Sequence, residues 1–508
     1  MPPIAIGFLL LSAVIALIRA HYQILGIDEY GFGLLDLCSR SSFAHFVHIQ
    51  LTAPISFDPI GYNALIYGVI HYFGTGAMTM RLPSIAGYLL MQVCLYWIVR
   101  RIANEWAGTV ALALPALLGV VAYSLEARPY AVMLGLAALA MLCWQTASRR
   151  NEGRTLALVG LAVSLALAIN MQYYAVLLFV PVCAAEAVRT MKARRVDVPM
   201  VGAIAGGLAG LILVIPFARA LSQFQANHGD LRVQNFHFIT HSYLWLLIGY
   251  ENLSVGQQHL VGGCCALLLL VLVAGFARAR RNLGLRLPTA EAVLLLLLAA
   301  IPVFAFLLAV AVTHFVEARY VLPAVIGLCA VIAILLTPLS QNRVLRRLAL
   351  ALLFVGITVA GVEHVRSDRK SAEEYAALLT ISPEMQQVLD KHPGEPIYVM
   401  NHFVFEFIHY YAPSEDIRSR VALIYLEPQD FGKEGVVADV NRQMANMEAD
   451  GVPEVYSYES VAKPGTEQLF LLYYGPWEWT DRRIAAAHAE VTKVGRFFGG
   501  EVELVRFP

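Results

Sequence analysis

The sequence predicts an α-helical polytopic membrane protein with a C-terminal soluble α/β domain. Three observations lead there. Of 508 residues, 58% are hydrophobic and 15% charged; apolar runs long enough to cross a bilayer recur along residues 1–363; and the composition after residue 363 turns to that of a soluble domain. A mean hydropathy of +0.62 means more apolar surface than one soluble core buries. Lys plus Arg and Asp plus Glu balance at 37 each, which gives no sign of a nucleic-acid partner. The seven cysteines lie mostly within apolar runs and none falls in the last third, so neither a disulfide framework nor a CxxC metal motif is expected.

The first run, 3–19, lacks a basic leader and a small-residue cleavage site and reads as a retained span. Further runs of roughly 17 to 24 residues, enough for about 30 Å of hydrocarbon, occupy 82–99, 105–124, 129–147, 155–171, 173–190, 199–220, 258–277, 289–312, 320–337 and 345–363, giving about eleven spans. The segment 59–73, bracketed by Asp58 and the "GTG" at 74–76, is short and carries Asn63 and His71; its length fits an interfacial helix within a first external loop, 20–81. With that segment uncounted, one face collects Arg100, Arg101 and the arginine-rich segments 148–154, 189–195, 277–286 and 342–347. By the positive-inside rule that face is cytoplasmic, and the first loop, the 123–130, 221–257 and 313–319 loops and the tail are external. The tail, 364–508, alternates β-type runs ("PIYVM", "RVALIYL", "QLFLLYY", "VELVRF") with helical patterns such as "SAEEYAALL" and "DRRIAAAHAEVTKV", an α/β signature.

The unusual polar groups of the membrane part gather on the external face. Asp28 and Glu29 follow the first span, Asp58 opens the short helix, and Arg81 precedes the second span. Two loops repeat Glu-Ala-Arg before an aromatic: Glu126, Arg128 and Tyr130 within "YSLEARPY", which begins at Tyr123, and Glu317, Arg319 and Tyr320 within "THFVEARY". Loop residues between spans are ordinarily polar and Tyr and Arg ordinarily anchor interfaces, yet charges near hydrocarbon usually have a partner or a task. Arginine offers a planar fork of donors to phosphate oxygens, and a partly desolvated carboxylate can act as a general base. Together these parts describe group transfer from a phosphorylated lipid.

"DE" after the first span, a short helix started by Pro59, "RLPS" at 81–84, "YSLEARPYA" at 123–131, "RYVLP" at 319–323 and a soluble tail form an ordered set. The set resembles the GT-C glycosyltransferases that use polyprenyl-phosphate sugars, in particular the protein-mannosyltransferase and aminoarabinose-transferase group with its lipopolysaccharide-modifying members. That resemblance implies Asp28 as catalytic base and Glu29 as a neighbour that tunes it or orients the acceptor. It implies a substrate-binding set of Asp58, Arg81, Tyr123, Glu126, Arg128, Tyr130, Glu317, Arg319 and Tyr320, with Arg319 neutralising the leaving lipid phosphate. Two departures stand in the sequence: "FDPIGY" at 57–62 replaces a His-Pro-Pro type segment, so that Asp58 either substitutes for the histidine or caps the helix, and Leu125 stands where a polar residue is common.

The expected reaction is inverting transfer of a sugar from a polyprenyl-phosphate donor to a hydroxyl of a glycan, lipid A or protein on the periplasmic face of a bacterial inner membrane; an endoplasmic-reticulum membrane gives the same topology. No P-loop or glycine-rich nucleotide fingerprint occurs and the scheme requires no cofactor, although Asp28, Glu29 and Asp58 could share a divalent ion. The competing class is a transporter or flippase of an anionic lipid-linked substrate, which should place charges mid-span and show repeated or gapped helices. In the 221–257 loop His228, His237 and His241 read as solvated rather than metal-binding. Phe403, Phe407 and Tyr410 read as a core stripe, and "GPWEWTDRR" at 475–483 as a packed turn.

Overall fold

A computed structural model describes residues 1–26, 29, 38, 41–53, 59–149, 152–221, 237–249, 255–283, 287–313, 316–427, 429–430, 437–473 and 479–508. The first helix, α1 (Pro3–Tyr22), carries Pro3 in its opening turn, where a missing N–H breaks no bond. Two short helices follow in the first loop: α2 (Phe43–Thr52), capped by the Ser42 hydroxyl, and α3 (Ile60–Phe73), which starts after Pro59 and stops at Gly74 with φ 87°. The short helix expected over 59–73 is α3, and its stop needs the left-handed backbone that glycine adopts freely.

Next come α4 (Ala77–Ile102), α5 (Glu105–Ala113), α6 (Pro129–Arg149), α7 (Arg154–Met171), α8 (Phe179–Ala193), α9 (Val198–Gly207), α10 (Gly210–Leu221), α11 (His237–Ile248), α12 (Val255–Leu283), α13 (Thr289–Ala299), α14 (Ile301–Leu308), α15 (Ala324–Leu335) and α16 (Arg343–Leu378). Among the described residues eight helices are long and apolar enough to cross a membrane, or nine if α13 and the residues after it, bent by 56°, form one span. Eleven full spans were expected. The shortfall lies in two runs, 105–124 and 320–337, which become the shorter apolar helices Glu105–Leu117 and Ala324–Leu335. Proline explains both: Pro115 sits in the 3-10 turn that ends α5, and Pro323 delays the start of α15.

Small residues set the closest helix crossings. A methyl on Gly87 of α4 would lie 2.5 Å from Ala131 O, and one on Gly135 of α6 would lie 2.5 Å from Gly87 O, so only glycine permits this approach of backbones. On the face read as cytoplasmic, several arginines are tied down by carboxylates. Arg149 bonds both oxygens of Glu291 (2.5 and 2.6 Å), and Arg154 and Arg189 share Asp197. Buried Glu186 and Glu291 pay no isolated-charge penalty because each has an arginine partner.

The helix α16 runs without a break past residue 363 into the tail, so "SAEEYAALL" continues the last membrane helix. The tail folds as a six-stranded sheet, order β3-β2-β1-β4-β6-β5, from β1 (Ile397–Val399), β2 (Val421–Tyr425), β3 (Val455–Ser457), β4 (Glu467–Leu472), β5 (Glu490–Phe497) and β6 (Gly500–Arg506). Strands β1 to β4 pair in parallel and β4, β6 and β5 antiparallel. The helices between them are α17 (Pro383–Lys391), α18 (His402–Tyr411), α19 (Glu415–Arg420), α20 (Val437–Ala449), α21 (Tyr458–Val461) and α22 (Thr480–Ala486). The helical pattern read over 481–494 ends at Ala486. Its second half, "EVTKV", is strand β5, where β-branched Val491, Thr492 and Val494 favour pairing with β6. Trp479 is fully buried against the Tyr458 ring at 5.5 Å, as expected of a packed turn; residues 475–478 of that segment lie outside the described residues.

Candidate active site

The first loop begins with a chain turn held from inside. Glu29 N donates to Gly26 O at 2.8 Å, and Gly26 N donates back to Glu29 Oε2 at 2.5 Å. Glu29 also accepts from Ala127 N (Oε1, 2.6 Å) and from Arg81 (Nε to Oε1, 3.3 Å; Nη2 to Oε2, 3.2 Å). Arg81, fully buried at the start of α4, donates further to Ala20 O, Gln23 O and Ile24 O. Both oxygens of Glu29 are thus filled by donors from three separate stretches of the chain.

Arg81, expected in the substrate-binding set, is 0% exposed with its donors turned onto the end of α1 and the start of the first loop. Glu29 joins "DE" to "EAR" through Ala127, so the two motifs meet at one carboxylate. Asp28 and Asp58 lie outside the described residues.

The 123–130 connection is fixed by Ser84, whose hydroxyl donates to Glu126 O at 2.5 Å and lies 3.3 Å from Arg128 O. The Arg128 guanidinium sits 4.9 Å from the centre of the Tyr130 ring, a cation–π contact. Tyr130 meets Tyr123 edge-on at 5.1 Å, and Tyr123 meets Trp245 of α11 at 5.3 Å. Gly119 makes room for that helix: a methyl there would lie 2.3 Å from Trp245 O.

The second Glu-Ala-Arg loop converges on the first. Arg319 Nε pairs with Glu317 Oε2 at 2.5 Å, and its guanidinium lies 5.8 Å from the Tyr320 ring, which stacks on Tyr174 at 4.9 Å. Burial works against the Arg319 charge, but Tyr130, Glu317 and Tyr320 outweigh it and the opposing Arg128, so Arg319 holds its proton more firmly than an ordinary arginine. Two arginines separated by 191 positions (319 minus 128) therefore share one electrostatic environment. Paired cations beside aromatic faces, partly shielded from water, suit a phosphate.

Among the described residues no group of three or more His, Cys, Asp or Glu is placed to hold a metal ion. His237 and His241 stand 6.4 Å apart on α11, while His228 lies outside the described residues. Sequence reasoning missed Ser84, Ala127 N and Trp245 as supports; Ser84 alone left a trace, as the last letter of "RLPS".

A multi-span helical body, a first loop carrying short helices of its own, and an α/β tail joined through the last membrane helix define a multi-pass membrane protein. Residues 58–219 match the family model described as dolichyl-phosphate-mannose-protein mannosyltransferase. Among solved structures the chain is similar to ArnT from Cupriavidus metallidurans in the apo state, at 13% identity and TM-score 0.59, over 98% of this chain and 97% of that one. It is similar to the same protein bound to undecaprenyl phosphate, at 13% identity and TM-score 0.58 over the same shares. Comparison with curated proteins gave no match.

Proposed function

We propose that the protein transfers a sugar, with inversion, from a polyprenyl-phosphate donor to a hydroxyl acceptor on the periplasmic face of a bacterial inner membrane. The observation that carries this reading is the convergence of the two Glu-Ala-Arg loops, which sets Arg128 and Arg319 in one electrostatic environment, with the first of those loops bonded to Glu29. The GT-C fold, and a similar structure holding undecaprenyl phosphate, support the donor class.

Asp28 takes the acceptor proton as the acceptor oxygen attacks the anomeric carbon and the bond to the lipid phosphate breaks. Arg319, with Arg128, stabilises the charge that grows on the departing phosphate; preformed cations in a water-poor site act strongly because they need no reorganisation. Glu126, Tyr123, Tyr130 and Tyr320 shape the cleft, and Glu317 orients Arg319. Asp58 and Arg81 complete the proposed substrate-binding set. The chain's own cations suffice for the leaving group, so no cofactor is required. The soluble unit, 364–508, stands on the same face as the site.

The test is release of free polyprenyl phosphate by purified protein in lipid, given a panel of polyprenyl-phosphate sugars and glycan acceptors. Sugar-dependent release that falls by about 10²-fold or more in Asp28→Asn supports the reading. No release by the wild type, with labelled lipid moving between leaflets, would establish the transporter class instead.

A further inference from the structure

The tail helix α18 ends in two adjacent tyrosines that reach the membrane part at two distant points of the chain. Leu25 N donates to Tyr411 Oη at 2.9 Å, and Tyr410 Oη donates to Thr75 O at 2.5 Å. Leu25 and Thr75 are the two ends of the first loop, the segment between α1 and α4 that contains the DE pair and α3. The Leu25 bond lies next to the residues gripped by Arg81, whose Nη2 holds Ile24 O at 2.9 Å and Glu29 Oε2 at 3.2 Å. Leu25 is buried, so its amide needs the tyrosine as acceptor in place of water.

The tyrosines are themselves held firmly. The Phe407 ring packs at a tilt 4.8 Å from that of Tyr411, 5.0 Å from Tyr375 on α16 and 5.1 Å from Phe498 in the β5–β6 hairpin. Asn401 caps the start of the helix, accepting from Phe403 N at 3.0 Å and Val404 N at 3.3 Å. A second tie, Arg19 Nε to Asp368 Oδ2 at 2.7 Å, fastens the end of α1 to α16 below the clamp. Burial lifts the Tyr410 phenol to about 12, so it remains a neutral donor across the physiological range; Arg81 and Glu29 are among the charges it feels.

We infer that Tyr410 and Tyr411 are positioning residues through which the soluble tail sets the geometry of the first loop, and that the tail is thereby a working part of the transfer site. The inference rests on the transferase reading. Reacting groups must be held within fractions of an ångström, and a misplacement of about 1 Å can cost about 10²-fold in rate. Two hydroxyls on one helix tie both ends of the loop to one body.

The experiment uses full-length protein in lipid nanodiscs and two readouts: polyprenyl-phosphate release with kcat and KM for donor, and amide hydrogen exchange by mass spectrometry. Tyr411→Phe removes one oxygen and keeps the ring. Exchange should rise in the peptide containing Leu25, kcat should fall roughly tenfold, and the donor KM should stay near wild type. Tyr410→Phe should loosen the peptide containing Thr75 with a similar loss in kcat, and serves if Tyr411→Phe is poorly folded. Tyr398→Phe, in β1 and with its ring against Tyr456 and Phe470 of the sheet, controls for a generic loss of phenol and should leave both readouts unchanged. Faster exchange at Leu25 with an unchanged kcat would reduce the tyrosines to structural staples and overturn the inference, as would no change in either readout. A wild type inactive with every donor overturns the transferase reading separately, before any variant is compared.

Discussion

Arg81 and Glu29 form a buried two-point pair, Nε to Oε1 at 3.3 Å and Nη2 to Oε2 at 3.2 Å, that joins the start of the second membrane helix to the start of the first loop. Each partner also binds backbone: Arg81 the carbonyls of Ala20, Gln23 and Ile24, Glu29 the amides of Gly26 and Ala127. The pair is a hub, and its consequences can be measured.

Removing one charge leaves the other buried without its counter-ion and frees several backbone groups. Arg81→Met should destabilise the protein by about 3 to 5 kcal/mol, read as a lowered Tm in detergent together with loss of folded yield. Glu29→Gln keeps the shape and one acceptor oxygen, so it should cost less in Tm; a Tm loss equal to that of Arg81→Met would place the main function of the pair in Glu29 alone.

Arg319 should divide binding from chemistry. Arg319→Ala is expected to lower kcat by about 10² to 10³, the usual loss when a preformed donor to a developing charge is removed. Arg319→Lys restores the charge without the planar fork and should recover part of that loss. Equal activity in wild type and Arg319→Ala, measured as polyprenyl-phosphate release, would remove Arg319 from the leaving-group role.

The crossing of α4 and α6 should tolerate no side chain. At Gly87 a Cβ would meet Ala131 O at 2.5 Å, and the atom it meets is backbone, which cannot swing aside. Gly87→Val should therefore part α4, which carries Arg81, from α6, which starts directly after Arg128, costing about 1 to 3 kcal/mol or more. Reduced Tm and reduced transfer together are the expected readout, and wild-type behaviour would show that the crossing is looser than this.

Asp197 gives a pH dependence with a definite sign. Burial tends to raise its pKa, but hydrogen bonds from Arg189 and Arg154 and from Met200 N outweigh it and hold the carboxyl below its ordinary value of 3.8. A depressed folded pKa stabilises the folded state fully above the unfolded value, and that contribution is lost as pH falls through the folded one. Asp197→Asn should thus lower stability by about 1 to 3 kcal/mol at neutral pH. The Tm gap between wild type and variant should narrow below about pH 4; a gap constant from pH 7 to pH 3 would contradict the pairing.

Much of the fold was legible because its determinants are local. Apolar run length located every membrane helix, and Pro59 and Gly74 marked both ends of α3. Strands β1, β2 and β4 lie in apolar runs and β6 alternates glutamate with valine and leucine, patterns that β-propensity exposes, whereas the "VYS" of β3 is set among polar residues and β5 was hidden by the helical pattern of 481–486 that leads into it. The span count went astray at Pro115 and Pro323, which break helices without changing hydropathy. At the site, the charged residues were readable as unusual, but Arg81 and Arg319 look alike in sequence. One is 0% exposed and serves backbone carbonyls as well as Glu29; the other feels Tyr130 and Arg128.

The sequence by itself determined the class of protein, the run of membrane helices, the α/β tail and the motifs that face one side, because hydropathy and periodicity act over a few turns of chain. Tertiary structure alone decided which charges pair, and that adjacent tyrosines in the tail hold residues 25 and 75. Those contacts join positions tens to hundreds of residues apart, and their energies depend on burial and on ångström-scale distance, neither of which is written in any local stretch of the chain.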